Sequence, residues 1–357
     1  MNNKLVFITS CASGEDGAIT SFNMDSGTGK LAPVSRYTDI ENPFIIALSP
    51  DRKRLYATQV PGDFERDPGA IAAFEIVGTS GELRKLNEQT AIGTTTCYVD
   101  IDPSGKAVVM ANYSSGSVGS YPVQPDGSLG QMATFVQHEG ASAVNPERQE
   151  GPHAHCSVIS PNGQHMYACD LGLDQILGYS LDAATAQLTP LEKPYVRTLG
   201  GGGPRHCAFH PQAGYAYADN EMHGSVHVYR YDANTGTLIE RQTISTLPDH
   251  YDGEASTADI KVTPDGRYFY CTNRIHNSIA IYRIGDDGCL TLVDISSSLG
   301  GTPQNLAITF DSELLLCANM DGAAGNVVVF RIDGATGKLR ALAEPFGIHS
   351  PSCILVA

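Results

Sequence analysis

The chain has 357 residues, a length that ordinarily divides into two or three domains unless the chain is built from repeats. Its formal net charge is −16 and its longest basic run is Arg52-Lys53-Arg54, so we expect neither nucleic acid nor a membrane surface as a partner. No apolar stretch approaches the roughly 20 residues of a membrane-spanning helix. The nine cysteines include no CxxC pair and lie mostly in apolar β-like runs, which predicts reduced thiols and a cytoplasmic protein.

A repeat with a period near 50 residues runs through the chain, and such a period is typical of propellers and solenoids. In each copy a short alternating strand ends in an aromatic residue: Phe22, Phe74, Tyr121, Tyr179, Tyr229, Tyr282 and Phe330. Eight or nine residues later each copy has a leucine after a turn: Leu31, Leu83, Leu129, Leu188, Leu238, Leu290 and Leu339. The sequence therefore contains seven structural units.

Six of these units open with a predicted hairpin around a turn such as Ser160-Pro161-Asn162-Gly163 or Thr263-Pro264-Asp265-Gly266. The segments flanking these turns are apolar and rich in β-forming residues. The first unit lacks its opening strand, and the C-terminal segment 352–356 supplies an unpaired one that can complete it. We therefore predict an all-β protein: a single seven-bladed β-propeller domain over residues 1–357. Its blades are four-stranded antiparallel sheets, and pairing of the N- and C-terminal strands closes the ring.

Positions at which one unit departs from the others are candidates for function. Counting from the turn proline, or from Phe310 in the last unit, the ninth residue is usually polar and is predicted to cap a strand: Gln59, Asn112, Asp170, Asn220, Asn273 and Asn319. The tenth residues are Val60, Tyr113, Leu171, Glu221, Arg274 and Met320. The residues six before the turn are Phe44, Cys97, His155, Arg205, Ala258 and Gln304. Glu221, Arg274, His155 and Arg205 stand out in these two columns.

Because the two columns flank one hairpin, they lie at the same edge of each blade, and a ring of blades brings that edge to one mouth of a central channel. We expect His155, Arg205, Glu221 and Arg274 to converge there as catalytic residues. Two insertions, residues 61–69 and 138–151, are too long for hairpin turns, and such loops often carry binding residues. Five residues are predicted to bind substrate at the same mouth: Arg148, Gln149, His153, His206 and Asp259.

Other motifs give weaker indications of a functional site. His153-Ala154-His155 presents two imidazoles on one face of a strand with no evident third ligand, so we expect no metal, and nothing in the sequence indicates a cofactor. Residues 200–203 are four glycines without the Gly-Lys-Ser/Thr of a phosphate-binding loop, and we interpret them as a turn before an inner strand. Four further histidines are expected at the surface: His210, His223, His227 and His276.

Several motifs, taken in order, resemble the seven-bladed lactonase family, which includes propeller-type 6-phosphogluconolactonases and fungal carboxy-cis,cis-muconate cyclases. The resemblance covers essentially the whole chain and rests on these segments: Asn112-Tyr113-Ser114-Ser115-Gly116, Asn145-Pro146-Glu147-Arg148-Gln149, Pro152-His153-Ala154-His155, Gly203-Pro204-Arg205-His206, Asn220-Glu221, Ala258-Asp259-Ile260 and Asn273-Arg274. It implies that the channel-mouth residues of the family correspond to His155, Arg205, Glu221 and Arg274. One departure is Gln304, since many relatives have an arginine after the equivalent of Pro303.

The resemblance implies a metal-free lactonase acting on a sugar-acid lactone, with 6-phosphogluconolactone as the leading substrate. Arg205 and His155 would polarise the lactone carbonyl. Glu221 would be the general base, with His155 as the alternative. Arg274 and Arg148 would hold an anionic end of the substrate.

Two other functions remain open from the sequence. A lactonising cycloisomerase acting on a carboxylated muconate would need the same cations. A non-catalytic propeller that binds proteins would instead expose an apolar or aromatic patch, whereas the predicted mouth is cationic and rich in imidazole. The partner expected is thus a small anionic lactone, and the sequence carries no signal for the oligomeric state.

Overall fold

The computed structural model describes residues 3–357, which consist almost entirely of β-strands and their connections. Within that range the only helical segments are two 3-10 turns of three residues each, Gly14–Asp16 and Gly322–Ala324. None of the helices in the described part of the chain has the length and apolar character needed to cross a membrane.

The strands form seven antiparallel sheets, numbered here as blades in chain order. Blade 1 contains β1 (Asn3–Ser10), β2 (Ala18–Asp25) and β3 (Leu31–Tyr37). Blade 2 contains β4 (Ile46–Leu48), β5 (Arg54–Gln59), β6 (Pro68–Val77) and β7 (Glu82–Thr94). Blade 3 contains β8 (Thr96–Ile101), β9 (Ala107–Asn112), β10 (Ser117–Pro122) and β11 (Thr134–Gln137). Blade 4 contains β12 (Ala154–Ile159), β13 (His165–Asp170), β14 (Gln175–Asp182) and β15 (Gln187–Arg197). Blade 5 contains β16 (Pro204–Phe209), β17 (Tyr215–Asn220), β18 (Ser225–Asp232) and β19 (Thr237–Ser245).

Blade 6 contains β20 (Thr257–Val262), β21 (Tyr268–Asn273), β22 (Ser278–Ile284) and β23 (Leu290–Ser297). Blade 7 contains β24 (Pro303–Ile308), β25 (Leu314–Asn319), β26 (Asn326–Ile332), β27 (Leu339–Ala341) and β28 (Phe346–Gly347). The final strand, β29 (Pro351–Val356), pairs with β1 and becomes the inner strand of blade 1. The inner strands contact one another in the order β29, β4, β8, β12, β16, β20, β24 and back to β29, so they surround a central channel. The predicted seven-bladed propeller with terminal strand closure is confirmed.

The hydrophobic core lies between neighbouring blades rather than at one centre. Strands β9, β13, β21 and β25 are buried at every position, which explains their nearly continuous apolar sequences. The seven aromatic residues that define the repeat are at most 3% exposed and belong to these inter-blade clusters. The repeat therefore encodes blade-to-blade packing.

The polar residue predicted to cap a strand does so in several blades. Asn112, Asn220 and Asn273 each end the second strand of a blade, and each donates from Nδ2 to the Oγ of a serine five residues later at 3.0 to 3.1 Å. This side-chain bond ties the end of the second strand to the start of the third strand.

A second repeated contact links adjacent blades and was not predicted. A buried tyrosine in the second strand donates its hydroxyl hydrogen to a glycine carbonyl in the outer hairpin of the next blade: Tyr56 to Gly127, Tyr167 to Gly236, Tyr217 to Gly288 and Tyr270 to Gly337. Gly288 has φ of +77°, and a Cβ there would collide with the Tyr215 ring. Glycine is therefore required for the close approach of the two blades.

The surface position predicted for His227 is wrong. His227 is 3% exposed in β18, and its Nδ1 lies 3.0 Å from the hydroxyl of Tyr229. The side chain is buried because it shares a face of β18 with Tyr229, which packs in the core between blades 4 and 5.

Ring closure gives the first testable prediction. Ile354 in β29 is 4% exposed and packs between blades 7 and 1, so Ile354→Ala should lower the free energy of unfolding by about 2 to 5 kcal/mol. Leu292 is 44% exposed on β23, and Leu292→Ala should change stability by less than about 0.5 kcal/mol. Urea unfolding followed by circular dichroism compares the two, and equal stability of both variants would contradict the closure.

Candidate active site

The structure brings all four residues predicted to be catalytic to one end of the channel. We call this end the upper mouth: it is where the inner strands β8, β12, β16, β20 and β24 begin and where the second strands of the blades end. His155 and Arg205 are the second residues of β12 and β16. Glu221 and Arg274 directly follow β17 and β21.

A β-bulge near the start of the inner strand in blades 3 to 7 sets the direction of these side chains. In blade 5, Pro204 pairs with Asn220 and Cys207 pairs with Ala218, so Arg205 and His206 together oppose a single residue, Asp219. Bulges occur at the equivalent positions of blades 3, 4, 6 and 7. A bulge interrupts the alternation of side chains between the two faces of a sheet, so adjacent side chains can meet, and here Nη1 of Arg205 lies 3.1 Å from Nε2 of His206.

Asp219 stabilises the bulge of blade 5. Its carboxylate accepts hydrogen bonds from the backbone N–H of His206 at 2.8 Å and from the hydroxyl of Thr257 at 2.6 Å. Burial raises the pKa of Asp219 to about 6, against the opposing effects of Arg205 and these hydrogen bonds. Asp219 was not among the predicted site residues, although a charged residue inside the apolar strand β17 was a usable signal.

Glu221 binds three arginines. Its Oε1 accepts a hydrogen bond from Nη2 of Arg148 at 2.8 Å, and its Oε2 lies 3.1 Å from Nε of Arg205 and 3.0 Å from Nη2 of Arg274. The N–H of Arg205 Nε does not point at the carboxylate oxygen, so that contact is an ion pair rather than a hydrogen bond. The carboxylate joins blade 5, blade 6 and the long loop after β11.

Burial of Glu221 alone would raise the pKa of its carboxyl group. The guanidinium groups of Arg274, Arg205 and Arg148 outweigh burial and hold that pKa below its usual value. Glu221 is therefore ionised at neutral pH, and it balances one of the three positive charges around it.

Arg148 reaches the cluster from residues 138–153, which connect β11 to β12. Its Nη2 also donates to the hydroxyl of Tyr113 at 3.2 Å. The neighbouring Gln149 is fully buried, and its amide donates to the carbonyl of Leu171 and to Asp174, each at 2.8 Å. Gln149 thus anchors the loop that carries Arg148, and its predicted contact with substrate stays a prediction.

His155 is 8% exposed, and its ring makes no hydrogen bond to any of residues 3–357. The ring packs edge-on against Tyr113 and His206, with centroids 5.3 and 5.4 Å apart. Burial and the positive charges of Arg205 and Arg274 hold the pKa of His155 well below its usual value. The imidazole is therefore neutral, with hydrogen-bonding capacity still free.

His153 lies on the loop side of the site and stacks on Tyr113 with ring centroids 4.7 Å apart. Its Nε2 lies 3.0 Å from Glu150, and its Nδ1 lies 3.2 Å from the carbonyl of Tyr113. His206 and Asp259 lie deeper, at 2% and 1% exposure, and contact each other at 2.9 Å. His206 and Asp259 line a cavity of about 310 Å³ in the channel rather than the cavity at the upper mouth. Binding of substrate by His153, His206 and Asp259 stays a prediction.

An open cavity of about 560 Å³ occupies the upper mouth. Its walls are mostly polar: Arg148, Glu221, Ser256, Arg274, Ile275, Asn277, Gly301, Thr302 and Asp321. A larger groove of about 680 Å³ lies at the outer rim between blades 7 and 1, but the ionisable residues described above do not line it. The upper mouth, where the polar groups converge, is therefore the candidate site.

Three buried hydrogen-bonding atoms of the predicted catalytic residues are unsatisfied. Nε of Arg205, Nε of Arg274 and Nδ1 of His155 are buried and have no hydrogen-bond partner among residues 3–357. Buried polar atoms are rarely left unpaired in native proteins, and exceptions concentrate where a ligand or water completes the bonding. Within the same part of the chain no three His, Cys, Asp or Glu side chains are grouped to hold a metal ion, and the expected absence of metal stays a prediction.

The ion cluster gives the second testable prediction. At neutral pH, Glu221→Gln should lower the free energy of unfolding by about 3 kcal/mol, the low end for breaking a buried ion pair, because glutamine still accepts hydrogen bonds. Arg148 contributes little to this value, since its side chain is 43% exposed and solvent screens it.

The effect has a defined pH dependence. The folded-state pKa of Glu221 lies below its unfolded value, so its stabilisation is present above the unfolded value of about 4.5 and is lost as the pH falls through the folded pKa. Urea unfolding between neutral and acidic pH should show the difference from wild type shrinking on acidification. Glu254→Gln, at an exposed carboxylate, is the matched control, and a pH-independent difference would contradict the ion-pair account.

Comparison with known proteins agrees with this geometry. The sequence matches the family model described as "Lactonase, 7-bladed beta-propeller" over residues 5–356. A 6-phosphogluconolactonase of Bacillus subtilis is 32% identical over 99% of this chain and 98% of the relative, and one of Formosa agariphila is 31% identical over 94% of each. The periplasmic gluconolactonase of Pseudomonas aeruginosa superposes with a TM-score of 0.91 at 27% identity, over 99% of both chains. The chain belongs to the seven-bladed β-propeller lactonase family.

Proposed function

We propose that this lactonase hydrolyses a sugar-acid lactone at the upper mouth, with 6-phosphogluconolactone as the leading substrate. The observation that carries the proposal is the ionised carboxylate of Glu221, held among three guanidinium groups on the wall of a polar cavity. Two relatives that match nearly the whole chain are 6-phosphogluconolactonases, which supports the phosphorylated substrate.

The hydrolysis needs a base for the attacking water, positively charged donors for the oxyanion and a proton source for the ring oxygen, and we propose that residues of the cluster supply all three. A water molecule attacks the lactone carbonyl carbon while a base takes its proton. The carbonyl oxygen becomes an oxyanion, which positively charged donors stabilise. The ring C–O bond then breaks, and the protonated base returns the proton that it took from water to the ring oxygen, which becomes the hydroxyl group of the free sugar acid.

Glu221 is the proposed base. Its carboxylate is ionised at neutral pH and borders the cavity, so it can accept a proton from water. Its low pKa makes it a weak base while all three arginines contact it. A substrate oxygen that takes hydrogen bonds from Arg274 or Arg148 would weaken those contacts and strengthen the base. His155 is the alternative base, because its neutral ring has free hydrogen-bonding capacity.

Arg205 and His155 are proposed to stabilise the oxyanion at the base of the cavity. Arg274 and Arg148 are proposed to hold the phosphate end, since both line the cavity and a guanidinium group matches the geometry of an oxyanion. The volume of about 560 Å³ lies within the range of small-molecule sites. No metal and no cofactor enters this scheme.

The same arginines could hold the carboxylates of a muconate, so a lactonising cycloisomerase is the rival reaction. The two reactions differ in the bond that is made or broken, not in the charges that bind the substrate. The cytoplasm is the proposed compartment, supported by the nine cysteines, none of which forms a disulfide.

A panel of lactones tests the proposal. Wild-type protein should hydrolyse 6-phosphogluconolactone and, more weakly, its unphosphorylated counterpart, as followed by titration of the acid released. Glu221→Gln should lower kcat by about 100-fold or more, because general base catalysis contributes that much. Glu254→Gln is the control and should retain full activity.

Two results would contradict the proposal. One is the loss of ultraviolet absorbance from a carboxylated muconate without hydrolysis of any lactone in the panel. The other is normal turnover by Arg205→Ala, which would remove Arg205 from the reaction.

A further inference from the structure

We propose that His206 and Asp259 are positioning residues, which hold the Arg205 guanidinium group in place through a hydrogen-bonded chain from blade 6. This role differs from the direct contact with substrate that the sequence led us to expect. The inference rests on the proposed lactonase activity, because it concerns how Arg205 is prepared for that reaction.

His206 lies between Arg205 and Asp259. Its Nδ1 is 2.9 Å from Oδ1 of Asp259, and its Nε2 is 3.1 Å from Nη1 of Arg205. The same Nη1 also donates to the carbonyl of Ala258. Arg205 is 1% exposed, so these two acceptors and the carboxylate of Glu221 determine where its charge lies.

The tautomer of His206 follows from these contacts. Arg205 can only donate hydrogen bonds, so Nε2 of His206 must be the acceptor. The ring hydrogen must then be on Nδ1, where Asp259 accepts it. Burial and the neighbouring Arg205 lower the pKa of His206 to about 4, against the opposing effect of Asp259, so the ring is neutral and Nε2 remains free to accept.

Asp259 can hold this tautomer because its own position is fixed. Its Oδ2 accepts hydrogen bonds from Asn305 Nδ2 and from the backbone N–H of Leu306, each at 2.9 Å. Lys261 donates to both carboxylate oxygens at 2.6 and 2.8 Å. Every group around this carboxylate is a donor, and burial is outweighed by Lys261 and His206, which hold the pKa of Asp259 well below its usual value.

An asparagine at position 259 cannot reproduce this arrangement. In one orientation its NH₂ group would face two donors, the backbone N–H of Leu306 and the NH₂ group of Asn305. In the other orientation it would face one donor, the Nδ1–H of His206. The second orientation is relieved only if the His206 hydrogen moves to Nε2, where it opposes Arg205. Asp259→Asn should therefore displace Arg205 without touching it.

Two substitutions at His206 separate positioning from packing. The amide oxygen of His206→Gln can replace Nε2 as the acceptor for Arg205. His206→Asn reaches only the position of Nδ1, so it keeps a partner for Asp259 and loses the one for Arg205. We expect His206→Asn to lower kcat by about 10- to 100-fold with little change in KM, the effect of losing one hydrogen bond to a charged group, and His206→Gln to recover most of it.

His227→Asn is the matched control. His227 is also a buried histidine of blade 5, but it lies in β18 and bonds to Tyr229, so its substitution tests packing without affecting Arg205. Similar kcat losses in His206→Asn, His206→Gln and His227→Asn would overturn the inference, as would wild-type kcat in His206→Asn.

A tautomer measurement tests the same inference without enzymatic turnover. In protein labelled with ¹⁵N-histidine, two-bond ¹⁵N–¹H correlation spectra should show His206 with its hydrogen on Nδ1, and Asp259→Asn should shift it towards Nε2. A wild-type Nε2–H tautomer would overturn the inference. If wild type hydrolyses no lactone, the proposed function fails, while the spectra still decide whether His206 accepts from Arg205.

Discussion

The carboxylate of Glu221 is the interaction on which the upper mouth depends. Arg205, Arg274 and Arg148 come from blade 5, blade 6 and the loop before blade 4, and their positive charges would repel one another without a shared anion. Glu221 holds them together, and it is itself kept ionised by them. A binding site for an anionic substrate and a stable junction between blades are therefore the same set of contacts.

The propeller makes this cluster possible in two ways. Closure by β1 and β29 places the start of every inner strand around one mouth, so residues distant in the chain become neighbours. The bulge of blade 5 then brings the adjacent side chains of Arg205 and His206 together, with Arg205 on Glu221 and His206 on Asp259. Repeated structure supplies the frame, and departures from the repeat at a few strand ends supply the chemistry.

Much of this was predictable, because a seven-fold repeat acts as its own control. The aromatic–leucine spacing predicted the blades, and the outliers in two columns predicted Arg205, Glu221 and the other channel-mouth residues. The sequence did not predict that Glu221 binds all three arginines, since ion pairing depends on distances set by closure. The bulge around Arg205 and the hydroxyl contact of Tyr217 with Gly288 were also missed, because neither changes the strand period. His227 was misplaced because a lone histidine in a β-rich run carries no burial signal.

The most direct test is a crystal structure with a bound sugar acid, the product of the proposed reaction. We predict that the acid occupies the upper mouth, with its newly formed carboxylate near Arg205 and His155 and its other end within hydrogen-bond distance of Arg274 or Arg148. Glu221 should lie beside the carboxylate carbon, on the side from which water attacks. Binding of the acid elsewhere, with all three arginines still on Glu221, would contradict the account.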